Sequence, residues 1–164
     1  MNKLGSALFL IFIGLIVPVI LAVRNIQFKQ NCSGYLKQAA DASSVELAID
    51  RIDRALRYIE RKELTHGYTS VLWKTEDENV GYWYHNIKTC RTELENGLKS
   101  SQLEQTNLLM KIRESLTDTD ETGTILTLPK GITRYPHNAL FGLLRFVSCI
   151  FLLLGFVRLF GDNY

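Results

Sequence analysis

The 164-residue chain is poor in the residues around which protein chemistry is usually built, with three cysteines, three histidines and two tryptophans. His66, His85 and His137 show no metal-ligand spacing with one another or with the cysteines, which argues against a zinc site. There is no Walker-type loop, no GxSxG elbow and no GxGxxG following a strand, so the common nucleotide-binding and hydrolase motifs are missing. Charge of one sign is scarce as well: 19 Lys and Arg stand against 17 Asp and Glu. These absences set the first expectations, which are no catalytic activity, no cofactor, no metal and no nucleic-acid partner.

Apolar residues are also scarce where a soluble protein would need them. They make up 46% of the chain, but they are concentrated in residues 4–23 and 139–160, where 16 of 20 and 17 of 22 positions are hydrophobic. The remainder is only about one-third hydrophobic, below the usual globular share. Twenty residues without a charge make roughly 30 Å of helix, enough to cross a hydrocarbon core. The first run exceeds a signal-peptide core and has no A-x-A site before Arg24, so it reads as an uncleaved anchor. Pro18 within it deprives the Gly14 carbonyl of its helical donor and predicts a kink there. The second run contains Arg145, about 9 Å inside, which could snorkel toward the Asn138 end or serve within a helix bundle.

The expected fold is therefore mainly α, with two transmembrane helices flanking an extramembrane helical hairpin or bundle. The boundaries read as an N-terminal tail over residues 1–3, spans at 4–23 and 139–160, an extramembrane domain at 24–138, and a C-terminal tail over 161–164. Both termini then share one side of a plasma or inner membrane. The middle segment carries 16 basic and 16 acidic residues, but its flanks are basic: Arg24, Lys29 and Lys37 at one end, Lys130 and Arg134 at the other. Those flanks favour a cytoplasmic domain. A signal-anchor-like N-terminus, together with Cys32 and Cys90 as a disulfide pair, favours an external one. The balance adopted from sequence is external, with two free buried thiols as the alternative for the cysteines.

Capping boxes at Ser43-x-x-Glu46, Thr75-x-x-Glu78 and Ser101-x-x-Glu104 divide the middle segment into helices. The first has an apolar seam of Val45, Ile49, Ile52, Leu56 and Ile59, the second one of Trp83, Ile87, Cys90 and Leu94. A shorter third helix uses Leu109, Ile112 and Leu116, and residues 33–42 add a short helix leading out of the membrane. Residues 118–138 read as extended, with a β-prone run at 124–128 for which residues 68–73 are the expected partner. Climbing on the first long helix and returning on the second would put the connecting loop at the membrane-distal tip. Asp118-x-Asp120-x-Thr122-Gly123 imitates a calcium loop but has Pro129 at the twelfth position, so it reads as a solvated turn.

Tyr82, Trp83 and Tyr84 span about 200° of a helix, so they cannot all face one core. With Tyr68 and Trp73 they form the expected partner-binding cluster, since Tyr and Trp are favoured contact residues. With such short tails no output domain is expected. The leading expectation is a two-pass membrane protein whose helical domain serves assembly, as a homo-oligomer, a scaffold or an accessory subunit, with anionic headgroups as further partners. The alternatives are an oligomeric pore with Arg145 near its path, and a ligand sensor signalling laterally to a membrane partner.

Overall fold

The computed structural model describes residues 3–120 and 123–161. It is mainly helical, and it divides into two compact units: Met1–Ile26 with His137–Tyr164, and Gln27–Pro136. The expected tail residues 1–2 and 162–164, and Thr122 of the acidic motif, lie outside the described residues.

The first unit pairs α1 (Lys3–Phe28, through Ile26) with α6 (Asn138–Phe160). Both are long and apolar enough to cross a membrane, and only 17% and 11% of their most apolar windows are buried. The helices meet through small residues. A Cβ on Gly14 would lie 2.7 Å from the Leu152 side chain, and one on Gly155 would lie 2.6 Å from that of Ile11. Ala7 and Ser148 are buried in the same seam. Removing side-chain bulk lets the backbones approach, the usual basis of helix pairing where no hydrophobic force acts between helices. Pro18 stands inside α1, and the Gly14 carbonyl it orphans accepts a hydrogen bond from Ser148 Oγ at 2.5 Å.

The second unit is built on four helices that lie between the two apolar ones in sequence. A π-helical turn at Lys29–Ser33 leads into α2 (Gly34–Ala40), followed by α3 (Val45–Arg61), α4 (Val80–Gly97) and α5 (Gln102–Leu116). α3 is amphipathic: Val45, Ala48, Ile52, Ala55, Leu56 and Ile59 are buried, while Asp50, Asp53 and Arg54 are left at the surface for ion pairing. Trp83, Ile87, Cys90 and Leu94 of α4 and Ile112 and Leu116 of α5 complete the core. Ion pairs stitch the helices across its surface: Arg91 to Asp53 at 3.0 Å, Lys111 to Glu93 at 2.7 Å, and Arg113 to Asp41 at 2.6 Å. At their partial exposure each contributes little, ~0.2–1 kcal/mol, so burial of the seams carries the stability.

Three details differ from expectation. The cap of α3 is Ser44, whose Oγ accepts from the Leu47 amide, one residue beyond the expected Ser43. Thr75 opens only a 3-10 turn, Glu76–Glu78, and α4 starts after Asn79, whose side chain accepts from the Tyr82 amide. The Ser101–Glu104 box is formed as written. The β-prone run pairs not with residues 68–73 but with the segment just before it. β1 (Thr117–Asp120) and β2 (Gly123–Leu126) form an antiparallel hairpin, with Thr117 opposite Leu126. Local closure of that hairpin costs far less chain entropy than a pairing across some 50 residues. Tyr68 instead bridges to Asn79.

The path of the chain also differs. α2 and α3 form the first helical hairpin, because residues 41–44 reverse the chain. As a result Tyr58, near the end of α3, packs edge-on against Phe28 at 6.1 Å. The connection after α3 therefore lies at the end of this unit where the chain joins α1, not at its far end. Tyr135 closes the same end, donating its hydroxyl to the His66 carbonyl at 2.6 Å. Gly67 (φ +87°) leaves no room there for a side chain beside that hydroxyl.

The core assignment predicts that Ile52→Ala, at 0% exposure, destabilises the protein by about 2–5 kcal/mol. Leu47→Ala on the outer face of α3, 37% exposed, should change stability by less than about 1 kcal/mol. Denaturant unfolding of the purified chain followed by far-ultraviolet circular dichroism separates the two.

Candidate functional site

The structure separates the five expected aromatic residues. Tyr84 turns toward α3 and donates its hydroxyl to Glu60 at 2.7 Å, which raises its pKa. Tyr68 accepts from the Asn79 side chain at 3.3 Å and lies under the Lys74 ammonium, 5.2 Å from its ring centre. Trp73 is 77% exposed in the connection. Only Tyr82 and Trp83 come together, and they do so in the lining of a groove of about 610 Å³.

The groove follows from how α4 begins. The Asn79 cap and the Tyr68–Asn79 bridge fix the first turn, presenting Tyr82 outward at 69% exposure while Trp83, 6% exposed, forms the floor. The opposite wall is the chain from Ile125 to Lys130, held by the β1–β2 pairing and by the Thr127 amide donating to the Leu116 carbonyl at 2.9 Å. Between them Asn86 donates to the Ser115 carbonyl at 3.2 Å. The lining is apolar in its depth, and its charged groups are Glu76, Asp77 and Asp118 against a single Lys130. Lys130 and Asp77 stand 3.8 Å apart, both more than three-quarters exposed. Carboxylate therefore predominates in a cleft whose floor is aromatic. Ion pairs and cation–π contacts with an incoming cation are the chemistry it offers.

Asp118 and the 125–130 wall were not read from the sequence as part of a site. A signal was present: Gly123, here at φ +122°, is separated by two residues from the alternating Thr117-Asp118-Thr119-Asp120 and precedes a β-prone run. That pattern fits a tight hairpin better than a solvated turn.

The other expected sites resolve separately. Cys32 and Cys90 are not paired: both are free and buried, Cys32 in the π-turn and Cys90 on α4. Each packs into the apolar core of the second unit, and desolvation pushes the Cys32 thiol up to about 12 and raises Cys90 as well. Arg145 is exposed and takes part in no hydrogen bond or ion pair among the described residues. It lies on the α6 stripe of Phe141, Ser148, Leu152 and Gly155, spaced by fours and threes. Near it Arg24 sits 5.1 Å over the Phe141 ring. Among the described residues no group of three or more His, Cys, Asp or Glu is placed to hold a metal ion. Compared with protein-family models, with curated proteins and with solved structures, the chain matches none.

The buried thiols give a pH prediction with a definite sign. A thiol whose folded pKa exceeds its unfolded value of 9.0 keeps its proton in the native state while the unfolded state loses it. The contribution of these thiols to stability is unchanged well below pH 9 and falls as pH rises from 9 toward 12. Cys32→Ala should flatten that decline, as read from denaturant midpoints at pH 8, 9 and 10. Aqueous thiol reagents should modify Cys32 only after unfolding.

Proposed function

We propose that this chain is a two-pass integral membrane protein of a plasma or inner membrane and an accessory subunit of a membrane complex. In this reading α1 and α6 cross the bilayer, both termini share one side, and the second unit docks a partner protein through the groove on α4. The observation that carries it is the groove itself: Tyr82 and Trp83 faced by Ile125 and Leu126, with Glu76, Asp77 and Asp118 around them. β2 is paired on one side only, by β1, and carries no second strand partner among the described residues. A free strand edge beside an apolar, acidic cleft suits an extended segment carrying Lys or Arg, bound by main-chain hydrogen bonds and side-chain pockets. Steering by opposite charge would speed the encounter and make it salt-dependent.

The side of the membrane we take from the flanks. Arg24, Lys29, Lys37, Lys130 and Arg134 outnumber Lys3 and Arg158, and by the positive-inside rule this favours a cytoplasmic second unit. The external side adopted from the sequence drew in part on pairing of Cys32 with Cys90, which are free thiols here, and we propose the cytoplasmic side in its place. Basic juxtamembrane segments of other membrane proteins are abundant there, and they have the charge that the groove complements. Assembly also draws more support than a pore, which rests on Arg145 alone.

The test uses the full chain in lipid nanodiscs and two fluorescent ten-residue peptides of alternating polarity, one Lys/Arg-rich and one Glu-rich. Anisotropy should show the basic peptide binding at least about tenfold more tightly, with affinity falling as salt rises. Asp118→Lys and Tyr82→Ala should each weaken it about tenfold or more, equal to about 1.4 kcal/mol. Equal binding of both peptides, or binding indifferent to both substitutions, overturns the proposal.

A further inference from the structure

The connection between α3 and α4 forms a projecting finger. The Thr69 amide donates to the Glu78 carbonyl and the Val80 amide to the Gly67 carbonyl, each at 2.9 Å, so residues 70–77 protrude from a closed base. Thr69 Oγ1 pins that base to the Lys130 carbonyl at 2.5 Å. The tip is apolar and uncovered, with Val71 58% exposed, Leu72 78% and Trp73 77%. Three consecutive exposed apolar residues, one of them Trp, are costly in water and are not explained by core packing.

The location of the finger bears on what could cover it. Its base is at His66 and Gly67, against Tyr135, one residue from the end of this unit at Pro136. Phe28, beside the other end at Gln27, packs on Tyr58 of the same region. The finger thus rises from the end of the unit that carries both chain junctions, each leading directly into an apolar helix. A second feature of that end has matching chemistry. Arg54, Arg57 and Arg61 line a shallow groove of about 250 Å³ with Asn31, Tyr35 and Tyr58; Arg54 is held by the Asp50 carboxylate at 3.0 Å, and the guanidinium groups of Arg57 and Arg61 suit lipid phosphates. Of the acids at the base of the finger, Glu78 accepts from Thr75 Oγ1 at 2.7 Å and Asp77 faces Lys130, while Glu76 lines the groove on α4.

We propose that Val71, Leu72 and Trp73 insert into the interfacial region of the lipid leaflet from which α1 and α6 emerge, with Arg57 and Arg61 of the α3 groove engaging phosphate headgroups. Trp is enriched at that depth because its ring is apolar and its N–H finds polar partners. The finger then acts as a third membrane anchor and restricts the orientation of the second unit at the bilayer. This inference rests on the membrane reading above.

The experiment uses the full chain in phosphatidylcholine–phosphatidylglycerol vesicles carrying nitroxide labels either near the headgroup or near the acyl-chain end. The Trp83→Phe variant leaves Trp73 as the single reporter. If that variant fails to fold, the difference between the natural chain and Trp73→Phe supplies the same signal. Trp73 should be quenched by the shallow label at least about twofold more than by the deep one, and protected from aqueous iodide. Arg57→Glu should reduce the quenching, more strongly in vesicles containing phosphatidylglycerol than in phosphatidylcholine alone. Flotation of the same samples separates the two failures. Protein that does not float with the vesicles contradicts the membrane reading itself. Protein that floats while Trp73 is open to iodide, or is shielded without lipid quenching as by a protein partner, overturns the anchor alone.

Discussion

The structure depends on two helices whose apolar surface the protein does not cover. A helix that is hydrophobic all round needs either a large protein core or lipid about it, and with 17% and 11% of their apolar windows buried α1 and α6 have no such core. What they share is narrow: Gly14, Gly155, Ala7 and Ser148 allow close approach. The one polar contact at its centre answers a definite need. Pro18 cannot donate to the Gly14 carbonyl, and in a medium without water an orphaned carbonyl costs several kcal/mol. The Ser148 hydroxyl takes over as donor, so the proline in one helix and the serine in the other form a matched pair.

In the second unit the constraint is an ordinary one, the burial of amphipathic seams, but its geometry has consequences. Because α2 and α3 form the first hairpin, Phe28 meets Tyr58 and the connection after α3 returns to the end where the chain joins the apolar helices. That single reversal gathers His66, Gly67, Thr69 and Tyr135 into one cross-braced end. The same bracing fixes the first turn of α4 and so presents Tyr82 and Trp83 to the groove. The groove on α4 and an exposed apolar finger follow from one piece of local packing.

Much of this was legible in the sequence. The apolar runs, the seams of α3 and α4, the short helix α2, the Ser101–Glu104 cap and the Gly14 carbonyl left open by Pro18 all follow from periodicity or from the chemistry of one residue. What escaped was relative placement. Residues 33–42 were read as helical, yet the reversal at 41–44 was not, and missing it inverted the position of the aromatic connection. The strand at 124–128 was recognised while its partner was sought 50 residues away, because β-propensity says nothing of register. The tyrosines and tryptophans were grouped by proximity in sequence, whereas the bridge at Tyr68, the Glu60 contact of Tyr84 and the projection of Trp73 set them apart. Asp118 and the 125–130 wall enter the groove only through the hairpin.

The central claim is that lipid is the solvent of α1 and α6, and it is tested most directly by alkaline carbonate extraction of membranes from cells producing the full chain. Retention in the pellet at pH 11, with release only by detergent, is the predicted result. Recovery of the intact chain in the carbonate supernatant would contradict it, and the two helices would then need another explanation for their uncovered apolar surface.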